Sequence, residues 1–219
     1  MVAATPGLAL AADASPRYYS RARLVWPDGA AVRPAALPEH TNFVFNYPFA
    51  ATPCFLLNLG RQLKAGAPLR TADARTYQWP GGAGPGGNVV AYSAICAHKL
   101  SYPTRQISFI SYRGDESRSG KRSRVIHCCS EHSEYDPARG AAVVSGPAPQ
   151  PLAAILLDYV QAADELYAVG TLGGEMFHEF FSKFEFRLSL DFRGAAHQPA
   201  GDVCQVVELA KYSRQQMQC

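Results

Sequence analysis

Nowhere in these 219 residues do about 18 apolar positions run uninterrupted, so no stretch reads as a helix long enough to cross a bilayer. The formal net charge is only +3, too small for a chain whose work is to grip nucleic acid. Pro80-Gly81-Gly82-Ala83-Gly84-Pro85-Gly86-Gly87-Asn88 has no Lys-Ser or Lys-Thr behind it and no helical pattern after it. That excludes a phosphate-cradling loop and leaves a turn that enters a strand. No internal repeat occurs. A cysteine pair followed by a histidine pair, the usual spacing of a structural zinc site, is missing as well.

What the chain does have is a mixed arrangement. Cys96-Ala97-His98 and Cys129-Ser130-Glu131-His132 each join one thiol to one imidazole, and Gly146-Pro147-Ala148-Pro149-Gln150-Pro151-Leu152 follows 14 residues after the second histidine. Each short motif is weak alone. In this order they form a four-ligand metal site of two soft thiolates and two imidazoles, which suits a [2Fe-2S] cluster with one iron held by cysteines and the other by histidines. Tetrahedral zinc is the bland alternative, in a structural and non-redox module.

On these motifs the chain resembles the Rieske iron-sulfur family, over roughly Asn88 to Gly170. The resemblance implies a [2Fe-2S] cluster, with Cys96 and Cys129 on the inner iron and His98 and His132 on the outer iron, facing solvent or a partner. It also implies a mainly β fold: an antiparallel β-sandwich base over residues 15–219, with a small cluster-binding subdomain at about 94–152 and a short C-terminal helix. Two departures stand out. The family's respiratory members carry loop cysteines that form a clamp, at places held here by Ser101 and Glu131. They also follow the second histidine with Gly, Ser, one residue and Tyr, whereas His132-Ser133-Glu134-Tyr135 is one residue short. Ser133 and Tyr135 are the candidates to hydrogen-bond the sulfurs. Carboxylates at Glu131 and Glu134 point to the lower or middle part of the roughly −150 to +300 mV range of such centres.

The remaining cysteines leave choices open. Cys128 reads either as a disulfide partner of Cys54 or Cys204 or as a buried free thiol, and Cys219 as an exposed terminal thiol. His40, His127, His178 and His197 read as structural. Residues 1–14, small and apolar until Asp13, look like the end of a signal or anchor segment, which points to a periplasmic, membrane-associated protein. Arg113, Arg118, Lys121, Arg122 and Arg124 crowd the stretch between the two motifs, either as a solvated loop or as a docking face for an acidic c-type cytochrome.

Strands are expected at Arg23–Trp26, Phe43–Tyr47, Cys54–Leu59 and Val89–Ile95, with a closing hairpin over Ala153–Val160 and Glu165–Gly170. Met176 to Phe184 has helical spacing, and Phe184, Phe186, Leu188, Leu190 and Phe192 alternate as a strand would. Functionally, the resemblance implies the electron-transfer subunit of a quinol:cytochrome c reductase-like complex, working with quinol and cytochrome b or c subunits. The alternative is the small subunit of a periplasmic molybdenum oxidoreductase of the arsenite-oxidase type. A ring-hydroxylating oxygenase would need a further mononuclear iron domain, for which the chain has no residues to spare.

Overall fold

The computed structural model describes residues 14–114 and 123–219. In chain order these form β1 (Arg17–Val25), β2 (Phe43–Asn46), β3 (Pro53–Asn58), the hairpin β4 (Ala67–Arg70) and β5 (Thr76–Trp79), and β6 (Val89–Ser93). Next come β7 (Ile107–Ser108), β8 (Ile110–Arg113), β9 (Val125–Cys128), β10 (Ser133–Asp136), β11 (Ala142–Ser145), β12 (Ala154–Val160) and β13 (Glu165–Leu172). Helix α1 (Phe177–Asp191) is followed by β14 (Val203–Gln205), β15 (Val207–Glu208), the single turn α2 (Leu209–Tyr212) and β16 (Gln215–Gln216). The fold is mainly β, as the sequence implies.

The base is one eight-stranded sheet in the order β14-β1-β13-β12-β6-β3-β2-β15. Its two outermost strands are adjacent pieces of chain, separated only by the fully buried Val206, whose N–H donates to the Val25 carbonyl at 2.7 Å. The sheet therefore closes on itself and leaves no long open edge. Alternation along the strands fills it. Ala22, Leu24, Phe43, Phe45, Cys54, Leu56, Val89, Ala91, Ile155, Leu166 and Ala168 form the enclosed core. The opposite faces of the same strands, at Val44, Phe55, Leu57, Val90, Tyr92 and Ala154, pack outward into a second core.

That second core joins the base to a four-stranded sheet, β11-β10-β9-β8, which supplies Ile110, Tyr112, Ile126, Cys128 and Tyr135. At about 25 cal/mol per Å² of apolar area, burying such side chains contributes on the order of 2 kcal/mol each. The small sheet is thus fixed to the base by its own core.

The four expected strands and the closing hairpin are present, but the aromatic segment near the end differs. Helix α1 runs through to Asp191, so the strand expected at Phe184 to Phe192 is helix for most of its length. Phe177, Phe180, Phe181 and Leu188 are buried at helical spacing, while Phe186 and Leu190 are 79% and 64% exposed. The alternation was two helix faces sampled at every second residue. The buried face packs on Ile95 and Leu100, which flank the first motif.

The candidate leader, 1–14, lies outside the described residues except for Ala14, which is buried and donates to the Thr76 carbonyl at 2.8 Å. Arg118, Lys121 and Arg122 lie outside them too. Arg113 is no loop residue, since it closes β8 opposite Val125. Among the described residues, no helix is long and apolar enough to cross a membrane.

Candidate metal centre

Strand β6 ends at Ser93, and the chain then turns tightly: the Cys96 N–H donates to Ser101 O at 2.9 Å and the Leu100 N–H to Cys96 O at 3.0 Å. Leu100 takes a φ of 63°, which lets so short a loop close. The second loop tips the β9–β10 hairpin. Cys128 and Ser133 are cross-strand partners, and Cys129 to His132 form the four-residue turn between them, with His132 at φ 57°.

The two loops bring Cys96 and Cys128 together. Both are buried in the same core, near enough for each thiol to shift the protonation of the other. The backbone N–H groups two and three positions ahead, of His98 and Lys99 for Cys96 and of Ser130 and Glu131 for Cys128, favour the thiolate form of each. Tyr135 completes the arrangement, its hydroxyl 3.3 Å from Cys96 Sγ while accepting from the Ala97 N–H at 3.2 Å. The Cys128 contact and then the Tyr135 hydroxyl pull the Cys96 thiol down to about 6 against the desolvation that opposes ionisation. Cys128 moves up, because its thiol proton is held against Cys96, burial penalises its anion, and a second anion beside the first is disfavoured.

Cys129 lies elsewhere. Its Sγ is bonded to that of Cys219, with Cα atoms 5.7 Å apart, inside the usual disulfide range. A sulfur so bonded is no thiolate, and in this structure it is Cys128, one residue before the Cys129 expected from C-x-x-H spacing, that shares a buried core with Cys96. Of the two readings of Cys128, the buried free thiol holds: Cys54 and Cys204 are free as well, their thiols donating to Tyr47 O and Asn46 O. Cys219 is half-buried and bonded, not an exposed free thiol.

His98 is half-buried and His132 exposed. The Nδ1 of His98 and the Oγ of Ser133 are buried with no hydrogen-bond partner. An orphaned imidazole nitrogen in this position fits a metal ligand, since burial without a partner costs about 1–3 kcal/mol. The donor set fits a two-iron cluster better than one zinc. Zinc needs all four donors around a single point, and among the described residues the group of three that gathers within 4.8 Å is His127, Cys129 and Cys219.

The proline-rich loop closes over the second turn. Gly146 has φ 86°, and a Cβ there would fall 2.5 Å from His132 O and 2.6 Å from Ser133 Cα. Farther along, the buried Gln150 accepts from the Ala72 N–H at 2.9 Å and donates to Gly174 O at 2.9 Å, which ties the loop to the β4–β5 turn and to the approach to α1.

No protein-family model matches the chain. It is similar to the crystal structure of the soluble domain of the Rieske protein II (soxF) from Sulfolobus acidocaldarius. The two share 25% sequence identity over 72% of this chain and 82% of that one, with a TM-score of 0.48.

The cysteine pair has a pH signature in the metal-free protein. Cys96 ionises near 6 when folded against 9.0 in a free thiol, so between these values the unfolded chain holds the extra proton and stability rises with pH. Cys128, raised when folded, holds its proton above 9 after the unfolded chain has lost it, so stability then falls. Melting temperature followed against pH is expected to peak near 9, and Cys128→Ala should flatten the profile.

Proposed function

We propose that the chain is a Rieske-type electron-transfer protein that carries a [2Fe-2S] cluster on Cys96, His98, Cys128 and His132. The observation that carries this reading is the pair of buried free cysteines that two loops bring into one core, with the Tyr135 hydroxyl 3.3 Å from Cys96 Sγ and the buried Nδ1 of His98 without a partner. When bound, the cluster supplies reversible one-electron chemistry. The chain does the rest. Backbone N–H groups and the Tyr135 hydroxyl direct positive dipole at sulfur, which favours added negative charge. Burial of Cys96 and Cys128 keeps water from the thiolate side, and the exposed His132 leaves one imidazole where a partner reaches it.

In the finer reading the protein is the iron-sulfur subunit of a membrane-associated quinol:cytochrome c reductase-like complex on the periplasmic face. The Cys129–Cys219 disulfide supports an oxidising compartment. A quinol donor would hydrogen-bond the free ring nitrogen of His132, which would take the proton as the electron leaves.

The test is spectroscopic. Anaerobically purified protein should be red-brown, contain two irons and two acid-labile sulfides per chain, and show a low-g EPR signal after dithionite. Colourless protein with stoichiometric zinc would overturn the proposal. Replacing Tyr135 by Phe removes one hydrogen bond to sulfur, worth about 1.4 kcal/mol, and should lower the midpoint potential by about 60 mV in an EPR-monitored titration.

A further inference from the structure

Beyond β15 the chain does not end against the base but runs on to pair with β7 in a two-stranded sheet of its own. The Ser213 hydroxyl donates to Thr104 O at 2.6 Å, and the N–H groups of Arg214 and Gln215 donate to Arg105 O and Gln106 O, both at 3.1 Å. Strand β16 then lies parallel to β7, and the Met217 N–H reaches Ser108 O at 2.8 Å. Arg113 holds the tail from beneath: its Nη2 donates to Met217 O at 3.1 Å and lies 3.0 Å from Cys129 Sγ. The run ends at the Cys129–Cys219 bond, in the residue next to Cys128.

We infer that residues 213–219 form a strap whose disulfide locks the second loop in place, and that Cys219 is a positioning residue for that loop. Short of the bond, the strap is a weak restraint. Its strand is two residues long, Gln215, Gln216 and Met217 are exposed, and the backbone bonds from Arg214 to Met217 go to one short edge. Noncovalent pairing of that length opens readily. The loop, by contrast, has to hold Cys128 toward Cys96 with His132 in a left-handed conformation, so a covalent tie one residue from Cys128 acts where displacement matters most. Because the tie spans 90 residues of sequence, it also restricts the unfolded chain strongly.

The lock is reversible by thiol exchange. A dithiol reductant gives up two electrons and two protons, closing its own disulfide, and Cys129 and Cys219 return as thiols. His127 lies 3.6 Å from Cys219 Sγ, so the reduced trio has the elements of a metal site. The Arg113 guanidinium against the same sulfurs opposes a dication there and favours the bonded form.

The inference rests on the reading of Cys96, His98, Cys128 and His132 as ligands, and the experiment separates the two. Non-reducing digestion and mass spectrometry of the alkylated chain should give a peptide linking Cys129 to Cys219, whether or not a cluster is present. Amide exchange within 129–133 should rise roughly tenfold in Cys219→Ser and in dithiol-treated wild type, while dithiol should leave Cys219→Ser unchanged. The melting temperature of Cys219→Ser should fall by roughly 10 °C. In cluster-bearing protein the variant's EPR line shape should broaden at temperatures far below melting, which simple destabilisation would not cause. Absence of the linked peptide, equal exchange in both forms, or stoichiometric zinc on the reduced trio would each overturn the strap. A linked peptide and faster exchange in colourless protein would uphold it while sinking the cluster.

Discussion

Cys128→Ser is expected to yield protein with no [2Fe-2S] absorbance, whereas Cys129→Ser should keep its iron and sulfide. The two cysteines are neighbours, yet alternation along β9 sends them opposite ways. Cys128 is fully buried in the core shared with Cys96 and Tyr135, and Cys129 begins the turn with its sulfur bonded to Cys219. Serine at 128 would offer an alkoxide precursor of much higher pKa than a thiol, a poor ligand for ferric iron. At 129 it removes only the tie to Cys219, so stability drops while colour stays. Iron and sulfide assays on the two variants, purified side by side, decide the matter. Coloured Cys128→Ser beside colourless Cys129→Ser would restore the assignment drawn from C-x-x-H spacing.

Gly146→Ala should be the most damaging change outside the ligands. The site's φ of 86° already disfavours any side chain by roughly 1 kcal/mol. The added Cβ would also lie 2.5 Å and 2.6 Å from backbone atoms of His132 and Ser133, which have no rotamer by which to yield. Either the proline-rich loop lifts off or the His132 turn is pushed aside. The loss is expected at about 3 kcal/mol or more by denaturant unfolding, accompanied by rapid bleaching of the cluster. Gly66→Ala, at a similar φ but with nothing near its Cβ, is the control and should cost only the backbone part. Equal losses in the two variants would show that contact with the His132 turn is immaterial.

Much of this was legible beforehand, and the exceptions have identifiable causes. Strands β2, β3, β6, β12 and β13 announced themselves through β-branched and aromatic runs bounded by Pro, Gly and Asp. The β4–β5 hairpin did not, because Ala67–Arg70 and Thr76–Trp79 are short and half polar, and only Leu69, Tyr77 and Trp79 are turned inward. In α1, stepping by two over Phe184 to Phe192 mimicked a strand, and only the burial of Leu188 beside exposed Phe186 and Leu190 separates the two periods.

For the site, the sequence holds a second register that starts one residue earlier. Counted from Cys129, the stretch through Tyr135 is one residue short of the resemblance it suggests. Counted from Cys128, Ser133 falls five positions on and Tyr135 seven, where the pattern puts its serine and tyrosine. The extra residue then lies inside the turn between cysteine and histidine, and the left-handed φ of His132 belongs to that longer turn. The spacing from cysteine to histidine and the spacing from cysteine to tyrosine thus point to different cysteines. The hairpin fixes the latter, since Cys128 and Tyr135 are seated on paired strands while the turn between those strands is free to lengthen.

The closed base sheet has a consequence for transplanting the centre. The chain departs after Ser93 and returns at Ala154, which pairs with Tyr92, so everything from the first motif to the proline-rich loop is a single detour between neighbouring strands. Topologically, such a detour lifts out and could be spliced between adjacent strands of an unrelated barrel. Its underside forbids a free choice of host. Phe55, Leu57 and Val90 supply part of its core, and the Tyr92 hydroxyl donates to Pro137 O at 2.7 Å. A recipient would have to present an oily outer wall and one phenol at the matching height, or the graft would arrive without its floor.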